Sequence, residues 1–227
     1  GLDSVVTIYI LIPFLIIPQI LLSGVIVKFE KLNPIISDPA EVPLVGNVMA
    51  SRWAFEALSV YQFRENKFER DFFSLDAKMS EATFKKDWWI PILRERTDKS
   101  ERLIGKGATN DSLNSILKLV YNEFKKEQQE NPRLALATLK TNENAKPDMA
   151  VIQTMRKDLE NLKDFYIEQF NSSSEKKEGI IERMTSSPEG QKEFRDRKRD
   201  YYNESLDQIV RNSTGMERLR VYEDKVI

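Results

Sequence analysis

Residues 5–27 read VVTIYILIPFLIIPQILLSGVIV, and this stretch decides most of the fold assignment. It carries no charge, and its only polar side chains are those of Thr7, Gln19 and Ser23. At about 1.5 Å per residue, a helix of this length covers the ~30 Å hydrocarbon core of a bilayer, and it is apolar on every side. The sequence therefore predicts a transmembrane helix over residues 5–27.

A cleavable signal peptide and a buried core helix are the alternative explanations of this stretch. A signal peptide needs a basic n-region and a small-residue cleavage site, whereas the chain opens with Gly1, Leu2 and Asp3. A core helix stays open as an alternative, although buried helices of globular domains rarely run this far without a polar residue on some face. The absence of a Met start leads us to expect that residue 1 is internal to a longer polypeptide.

The polar and helix-breaking residues of the stretch indicate that it has helical neighbours. Pro13 and Pro18 each remove an intrahelical hydrogen bond, which a packed bundle can compensate. The amide of Gln19 needs a partner on another helix, in a wet cavity or on its own backbone. We expect this helix to be one of several in the membrane.

The composition favours helices and excludes several kinds of chemistry. Only 8 of 227 residues are Gly, while 41% are hydrophobic, enough for a packed core. With no Cys and no His, the chain excludes disulfides, thiolate nucleophiles, Cys or His zinc sites and imidazole catalysis. The formal charge of −1 gives no basic field that would attract nucleic acid.

An interfacial region is predicted after the first helix. Residues 28–43 contain three prolines and mixed charges, which suits a loop, and residues 44–63 place apolar side chains mostly at helical spacing. Trp53 and Tyr61 in this second helix can sit at the level of lipid headgroups. An ordinary helix facing a soluble core would show the same spacing.

Two short motifs in this region are similar to those of a known family. Residues 20–27 read ILLSGVIV, and residues 51–58, after a short Pro-containing loop, read SRWAFEAL. In this order they resemble the permease half of G-type (white/scarlet-like) ATP-binding cassette transporters. In that family the fifth membrane helix ends in an apolar-Ser-Gly-apolar pattern, followed by an external aromatic and Arg-containing segment that returns to the membrane. The resemblance covers about residues 5–66.

The resemblance implies a translocation path and its outer gate. Val25 and Ile26 directly follow Ser23 and Gly24, and they take the place of the bulky apolar pair that plugs the outer end of the path. Gln19, four residues before Ser23, is also assigned to the translocation path. Such a constriction works by excluding water and polar solutes. The alternative is that both bulky side chains face lipid.

The same resemblance places four residues in the interfacial helix. Arg52, Trp53, Phe55 and Glu56 belong to the segment that returns to the membrane. Because Arg52 and Glu56 are four residues apart, they can pair on one helical face.

The family does not account for the rest of the chain, residues 67–227, which we interpret as an inserted helical domain. Helices are predicted around 75–103, with an interruption near Pro91, and over 111–129, 148–170 and 191–210. Linkers are expected at 140–147 and 171–179, and a polar stretch of a continuous helix is the alternative for the second. The third helix carries a heptad seam with steps of 3, 4, 3 and 4, formed by Ile152, Met155, Leu159, Leu162 and Tyr166.

The predicted fold class is all-α: one transmembrane helix, an interfacial amphipathic helix, and an extramembrane hairpin or bundle. No catalytic motif is found, since Gly105, Lys106 and Gly107 lack the G-x-x-x-x-G-K-[ST] frame of a phosphate loop. We expect no cofactor in this chain. The resemblance implies that ATP and Mg are bound by a nucleotide-binding domain elsewhere in the parent transporter.

Two functions follow as hypotheses. The first is a permease fragment of an exporter in the bacterial inner membrane, with residues 67–227 on the periplasmic side. Its expected partners are other membrane helices, lipid, the nucleotide-binding domain, a second half transporter and an external protein, but not nucleic acid. The second is a membrane-anchored adaptor or sensor that binds a protein through its coiled-coil hairpin. Lys28 and Lys31 favour a cytoplasmic location by the positive-inside rule, but we follow the resemblance because long domains translocate largely regardless of charge.

Overall fold

The computed structural model describes residues 5–21, 47–107, 111–140, 148–211, 221–222 and 225–226. These residues are predominantly helical, which confirms the helical part of the predicted fold class. The helices are α1 (Val5–Leu21), α2 (Ala50–Glu65), α3 (Phe73–Phe84), α4 (Ile90–Gly105), α5 (Asp111–Glu130), α6 (Met149–Met184), α7 (Pro188–Tyr201) and α8 (Glu204–Arg211). A π-helical segment, two 3-10 segments and two short strands complete the described elements: Lys85–Trp89, Glu69–Asp71, Ala137–Lys140, β1 (Val221–Tyr222) and β2 (Lys225–Val226).

The chain divides into two compact units, and the division differs from the predicted one. The first unit is Gly1–Arg70 with Asn203–Val210, and the second is Asp71–Tyr202 with Arg211–Ile227. The sequence predicts a boundary at 66/67, whereas the contacts divide the chain between Arg70 and Asp71, within the 3-10 turn Glu69–Asp71. The sequence also gave no indication that α8 groups with the first unit.

The first helix continues through both of its prolines. Pro13 and Pro18 lie inside α1, as the apolar run predicts. Within the described part of the chain, no helix combines the length and the apolar content that crossing a membrane requires. The remainder of the predicted span, residues 22–27, and the predicted loop 28–43 lie outside the described residues.

The second helix covers most of the predicted stretch 44–63 and has a defined end. It covers Ala50–Glu65, while residues 44–46 of the predicted helix lie outside the described residues. It stops because Asn66 is extended, with φ −68° and ψ 154°. The Oδ1 atom of Asn66 accepts the backbone N–H groups of Phe68 (2.9 Å) and Glu69 (2.7 Å), which turns the chain.

The interruption predicted near Pro91 is a π-helical segment. Pro91 has no N–H, so it cannot bond to the carbonyl of Asp87, four residues earlier. The chain adapts over Lys85–Trp89, where the N–H of Ile90 donates to the carbonyl of Lys85, five residues back. As a result, α3 and α4 run into one another without a loop.

The longest helix includes residues 171–179, for which the sequence allows either a linker or a polar stretch of helix. The helix α6 runs without a break from Met149 to Met184, so residues 171–179 are a polar stretch of it and not a linker. Asp148 caps its start by accepting the N–H of Met149 at 2.6 Å. The other predicted linker lies, apart from Lys140, outside the described residues.

Four residues of the heptad seam of α6, Met155, Leu159, Leu162 and Tyr166, belong to the hydrophobic core of the second unit. All five seam residues are buried, with exposures of 0 to 2%. They face α3, α4, the π-helical segment and the Ala137–Lys140 turn, so the seam packs into a bundle of its own domain. The other core residues are Ala82, Trp89, Ile90, Leu93, Leu119, Val120, Phe124, Leu134 and Leu136.

Two details at the C-terminal end differ from the prediction. The run predicted as one helix over 191–210 is two helices, because Tyr202 is extended and Asn203 starts α8 by accepting the N–H of Leu206 at 3.0 Å. An antiparallel strand pair, with Val221 opposite Val226, was not predicted. Two-residue strands leave too short a pattern to detect in a sequence.

Candidate functional site

The residues assigned to the translocation path are described only in part. Gln19 lies in the last turn of α1, and its side chain is exposed. Its backbone carbonyl accepts a hydrogen bond from Ser51 Oγ of α2 at 2.8 Å, which joins the two helices. Ser23, Gly24, Val25 and Ile26 lie outside the described residues.

The residues assigned to the interfacial helix form a polar and aromatic group at the start of α2. Arg52 Nη2 lies 3.3 Å from Glu56 Oε2, the pair expected from their spacing. The Arg52 guanidinium lies over the Trp53 ring, 4.4 Å from its centroid. Asn47 connects the group, since its Oδ1 accepts from Arg52 and its carbonyl accepts from Trp53 Nε1 at 2.8 Å. Phe55 is half-buried, whereas the Trp53 side chain is exposed.

The exposed hydrophobic surface is concentrated in the first unit. Among the described residues, every exposed large hydrophobic side chain except Ile167 and Tyr201 belongs to this unit. On α1, exposures reach 72% at Tyr9 and 74% at Phe14, and on α2 they reach 68% at Tyr61. Soluble proteins rarely expose contiguous apolar surface of this kind unless it binds something. The members on α1 are Val5, Ile8, Tyr9, Ile10, Leu11, Ile12, Phe14, Leu15, Ile16, Ile17 and Ile20.

A buried polar cluster in the second unit was not predicted. Its centre is Glu127 of α5, which is only 1% exposed. Oε1 of this carboxylate accepts from Tyr166 Oη of α6 and from Asn131 Nδ2 at 2.7 Å. Oε2 pairs with Lys85 Nζ of the π-helical segment. The cluster therefore ties three elements of the bundle to one carboxylate.

A second buried carboxylate lies one helical turn earlier on α5. Glu123 Oε2 accepts from the indole Nε1 of Trp89 at 2.8 Å, and Glu123 Oε1 accepts from the backbone N–H of Val226 at 3.1 Å. The Lys85 ammonium lies over the Trp89 ring, 4.3 Å from its centroid. Through these contacts, the two carboxylates form one continuous network.

The network holds the tyrosine in its neutral form. Burial, and next the hydrogen bond to the Glu127 carboxylate, raises the pKa of the Tyr166 hydroxyl above its usual range. A neutral hydroxyl can donate to the carboxylate, which a phenolate cannot do. Because the polar atoms named here bond to one another, the arrangement supports the packing of the bundle and suggests no reaction.

The positions of these two carboxylates along α5 are a sequence signal of their burial. Glu127 follows Leu113 and Val120 at steps of seven, and Glu123 follows Ile116 by seven. Both therefore continue the apolar positions of α5 and fall on its buried face. An acidic residue at such a position indicates a buried and partnered carboxylate.

A third buried carboxylate fixes the connection between α5 and α6. Asp158, 1% exposed, accepts from the backbone N–H groups of Ala137 (3.1 Å) and Thr138 (2.7 Å). It also accepts from Thr138 Oγ1 at 2.7 Å. It thereby caps the 3-10 turn and anchors it on α6.

The Gly-Lys cluster considered as a phosphate loop is the end of α4. Lys106 caps the helix, and Gly107 has φ +68°, a backbone conformation that favours glycine. The N–H of Gly107 donates to the carbonyl of Ile104 at 2.9 Å. Among the described residues, no group of three acidic side chains is arranged to hold a metal ion.

The comparison with known proteins finds no relative of this chain. No family model matches the sequence, and neither a curated protein nor a solved structure shows significant similarity to it. The resemblance to the transporter permease therefore depends on the two motifs within residues 5–66.

Proposed function

We propose that this chain is part of the membrane-spanning permease of a G-type ATP-binding cassette exporter, with α1 in the bilayer. The observation that carries the proposal is the concentration of exposed large hydrophobic side chains in the first unit. Removing apolar surface from water is worth about 25 cal/mol per Å², so such a surface favours lipid or other membrane helices over water. The uncharged sequence continues from α1 to Val27.

The proposal gives α1 membrane-helix neighbours. Apart from half-buried Pro18, its side chains described for burial are exposed, so they can contact lipid or further helices of the parent. Those helices would accommodate the carbonyl groups that Pro13 and Pro18 leave without an intrahelical donor. Within this chain, Ser51 of α2 donates to the backbone carbonyl of Gln19 in the last turn of α1.

The second helix is proposed to lie at the membrane interface. Its exposed apolar side chains include Trp53, Leu58, Val60 and Tyr61. Trp and Tyr favour the headgroup level, because each has an apolar ring and a polar tip. Ser59 and Phe63 are buried and lie on the opposite side of the helix. The exposed aromatic rings of α2 suit a position at the level of the headgroups.

The remaining parts of the proposal follow from the family resemblance. The parent would export a substrate as a dimer of half transporters, driven by a nucleotide-binding domain that binds ATP and Mg. Val25 and Ile26 would form the outer gate of the path. The second unit would lie on the extracytoplasmic side, periplasmic in a bacterium, where it can meet an external partner protein.

A partition experiment tests the membrane part. Leu15 is 53% exposed in α1, so Leu15→Lys costs little in water but places a charge in the bilayer. A central Lys disfavours insertion by about 2.5–3.5 kcal/mol, so flotation with phospholipid vesicles should show about a hundredfold weaker partition. Ile167→Lys in the second unit is the matched control, because Ile167 is also a large exposed side chain.

The expected result is strong vesicle binding by the unchanged chain and by Ile167→Lys, with a clear loss for Leu15→Lys. Equal partition of the two Lys variants, or no partition by the unchanged chain, would contradict placement of α1 in lipid.

A transport experiment tests the gate. In the parent transporter, Val25→Ala combined with Ile26→Ala should change the export rate or the basal ATPase rate, because smaller side chains loosen the constriction. Unchanged export and ATPase activity in a normally expressed double variant would remove both residues from the path.

A labelling experiment tests the orientation. This chain has no cysteine, so Glu175→Cys introduces a single thiol at an exposed position of α6. A membrane-impermeant maleimide should label that thiol in intact cells if the second unit is extracytoplasmic. Labelling only after lysis would favour the orientation that Lys28 and Lys31 predict.

The alternative function is an adaptor that binds a protein through the heptad seam. Such an adaptor would need an exposed seam. The five seam side chains from Ile152 to Tyr166 are buried within the second unit. We therefore prefer the transporter as the proposed function.

A further inference from the structure

We propose that one side of α7 in the second unit binds the headgroups of anionic phospholipids. Lys192, Arg195, Lys198 and Arg199 form this side, which we name the basic face. This lipid contact deepens the proposed function and rests on it for the presence of a membrane next to the second unit.

The charged residues of α7 are separated onto different sides of the helix. At about 3.6 residues per turn, steps of three and four place Lys192, Arg195 and Arg199 on one side, with Lys198 beside them. The side chains of all four residues are exposed. The acidic residues follow one another at steps of four, three and four on another side: Glu189, Glu193, Asp196 and Asp200. The basic face therefore has a positive potential of its own, although α7 contains nearly equal numbers of basic and acidic residues.

The charges of the basic face are compensated only in part by neighbouring carboxylates. Arg199 lies 3.0 Å from Asp196 and 2.9 Å from Asp200, but its side chain is 70% exposed. Exposed ion pairs are weak, so this guanidinium can exchange a carboxylate for a phosphate. In the part of the chain that the structure describes, Lys192 and Arg195 have no carboxylate partner. Their charges are available to an external anion.

The side of α7 away from Lys192 holds the helix on the second unit. The Phe194 ring packs edge to face on Phe72, with the two centroids 6.4 Å apart. Arg197 Nη1 lies 3.7 Å from Asp71 Oδ2. Because the helix is held by this side, the basic face is left directed towards solvent.

The position of α7 in the chain brings it close to the unit that is proposed to be in the membrane. The main segment of the second unit begins at Asp71, which Arg197 contacts, and ends at Tyr202, directly after α7. The six residues from Glu65, the end of α2, to Asp71 span at most about 20 Å. With α2 at the lipid interface, chain connectivity keeps α7 within reach of the headgroups.

The energetics favour an anionic leaflet over a zwitterionic one. Each Lys or Arg near an anionic surface strengthens binding by about fivefold. This attraction decays over a Debye length of ~10 Å at 0.1 M salt, which is about the diameter of a helix. The acidic side of α7 is therefore repelled less than the basic face is attracted when that face is turned to the lipid.

Fluorescence quenching on vesicles tests the contact in the 227-residue chain. The chain has no cysteine, so Gln191→Cys gives a single thiol beside the basic face for a bimane label. Vesicles of phosphatidylcholine, with and without phosphatidylglycerol, carry a nitroxide quencher on some of their headgroups. We expect stronger quenching with phosphatidylglycerol, and we expect 1 M salt to remove the difference.

Two double variants with the same label separate the basic face from net charge. Lys192→Gln with Arg195→Gln removes two charges, so the ratio of docked to free α7 should fall about thirtyfold. Lys99→Gln with Lys157→Gln changes the net charge equally at exposed positions of α4 and α6, and it should leave that ratio unchanged.

Three results would overturn the proposal. The first is equal quenching with and without phosphatidylglycerol, and the second is an equal loss in the two double variants. The third is self-quenching between labelled copies without a response to lipid, because it would assign the basic face to a second copy of the chain.

Failure of the proposed function has a different signature. In that case the unchanged chain would not float with vesicles of phosphatidylcholine alone, because α1 would not insert. Quenching that depends on phosphatidylglycerol and is lost in 1 M salt would still support the basic face as a site for anionic headgroups.

Discussion

Truncation of a seam residue is the most direct test of how the second unit is held together. Leu159 lies at the centre of the α6 seam and is 0% exposed. A buried Leu→Ala change typically costs about 2–5 kcal/mol, because burial of the side chain is lost and a cavity remains. A whole domain has only about 5–15 kcal/mol of stability, so Leu159→Ala should remove a large part of it. Leu159→Asp should unfold the unit, since it buries a carboxylate without a partner.

Two variants on the same helix are matched controls. Glu160, the next residue, pairs with Arg94 of α4, but both side chains are exposed, at 57% and 41%. Surface ion pairs contribute about 0–1 kcal/mol, so Glu160→Ala should change the free energy of unfolding by less than that. Ile167→Ala removes a similar amount of aliphatic side chain at a position that is 38% exposed, and it should cost less than Leu159→Ala.

Thermal unfolding of the 227-residue chain, followed by circular dichroism, compares the four variants. For a domain of this size, 1 kcal/mol shifts Tm by about 2–4 °C, so Leu159→Ala should lower the Tm of the second unit by about 4–20 °C. The reasoning would be refuted if Leu159→Ala and Ile167→Ala melted at the same temperature. That result would mean that the seam is exposed in solution and is free to bind a partner.

The polar groups of the second unit allow four further predictions. Tyr166→Phe should destabilise the second unit by about 1.5–3 kcal/mol in urea titrations, because the Glu127 carboxylate loses a buried donor. Since the folded state raises the pKa of Tyr166, its contribution to stability should persist below about pH 10 and decrease as the pH rises further, and Tyr166→Phe should abolish that decrease. Asp158→Ala should cost about 1.5–3 kcal/mol and should increase hydrogen exchange at Thr138, whose N–H and hydroxyl it binds. Arg156→Ala should cost less than about 1 kcal/mol, and the difference should shrink further in 1 M salt, because this arginine is 42% exposed.

The sequence by itself determined those elements that depend on local pattern. An uncharged apolar run predicted α1, steps of three and four predicted the buried seam from Ile152 to Tyr166, and Pro91 predicted a disturbance in the second unit's first long helix. In these three cases the residue types form a continuous apolar run, repeat with the helix period, or forbid a specific backbone hydrogen bond. Such signals do not need a partner element to be recognised.

Only the tertiary structure decided which polar residues are buried together. Lys85, Glu127 and Tyr166 are separated in the sequence by about 40 residues each, and nothing local shows that they meet. The same holds for Glu123, which bonds to Trp89 and to the backbone of Val226. Partners for buried charges come from packing between helices, since a charged residue on an isolated helix is equally compatible with a solvated face.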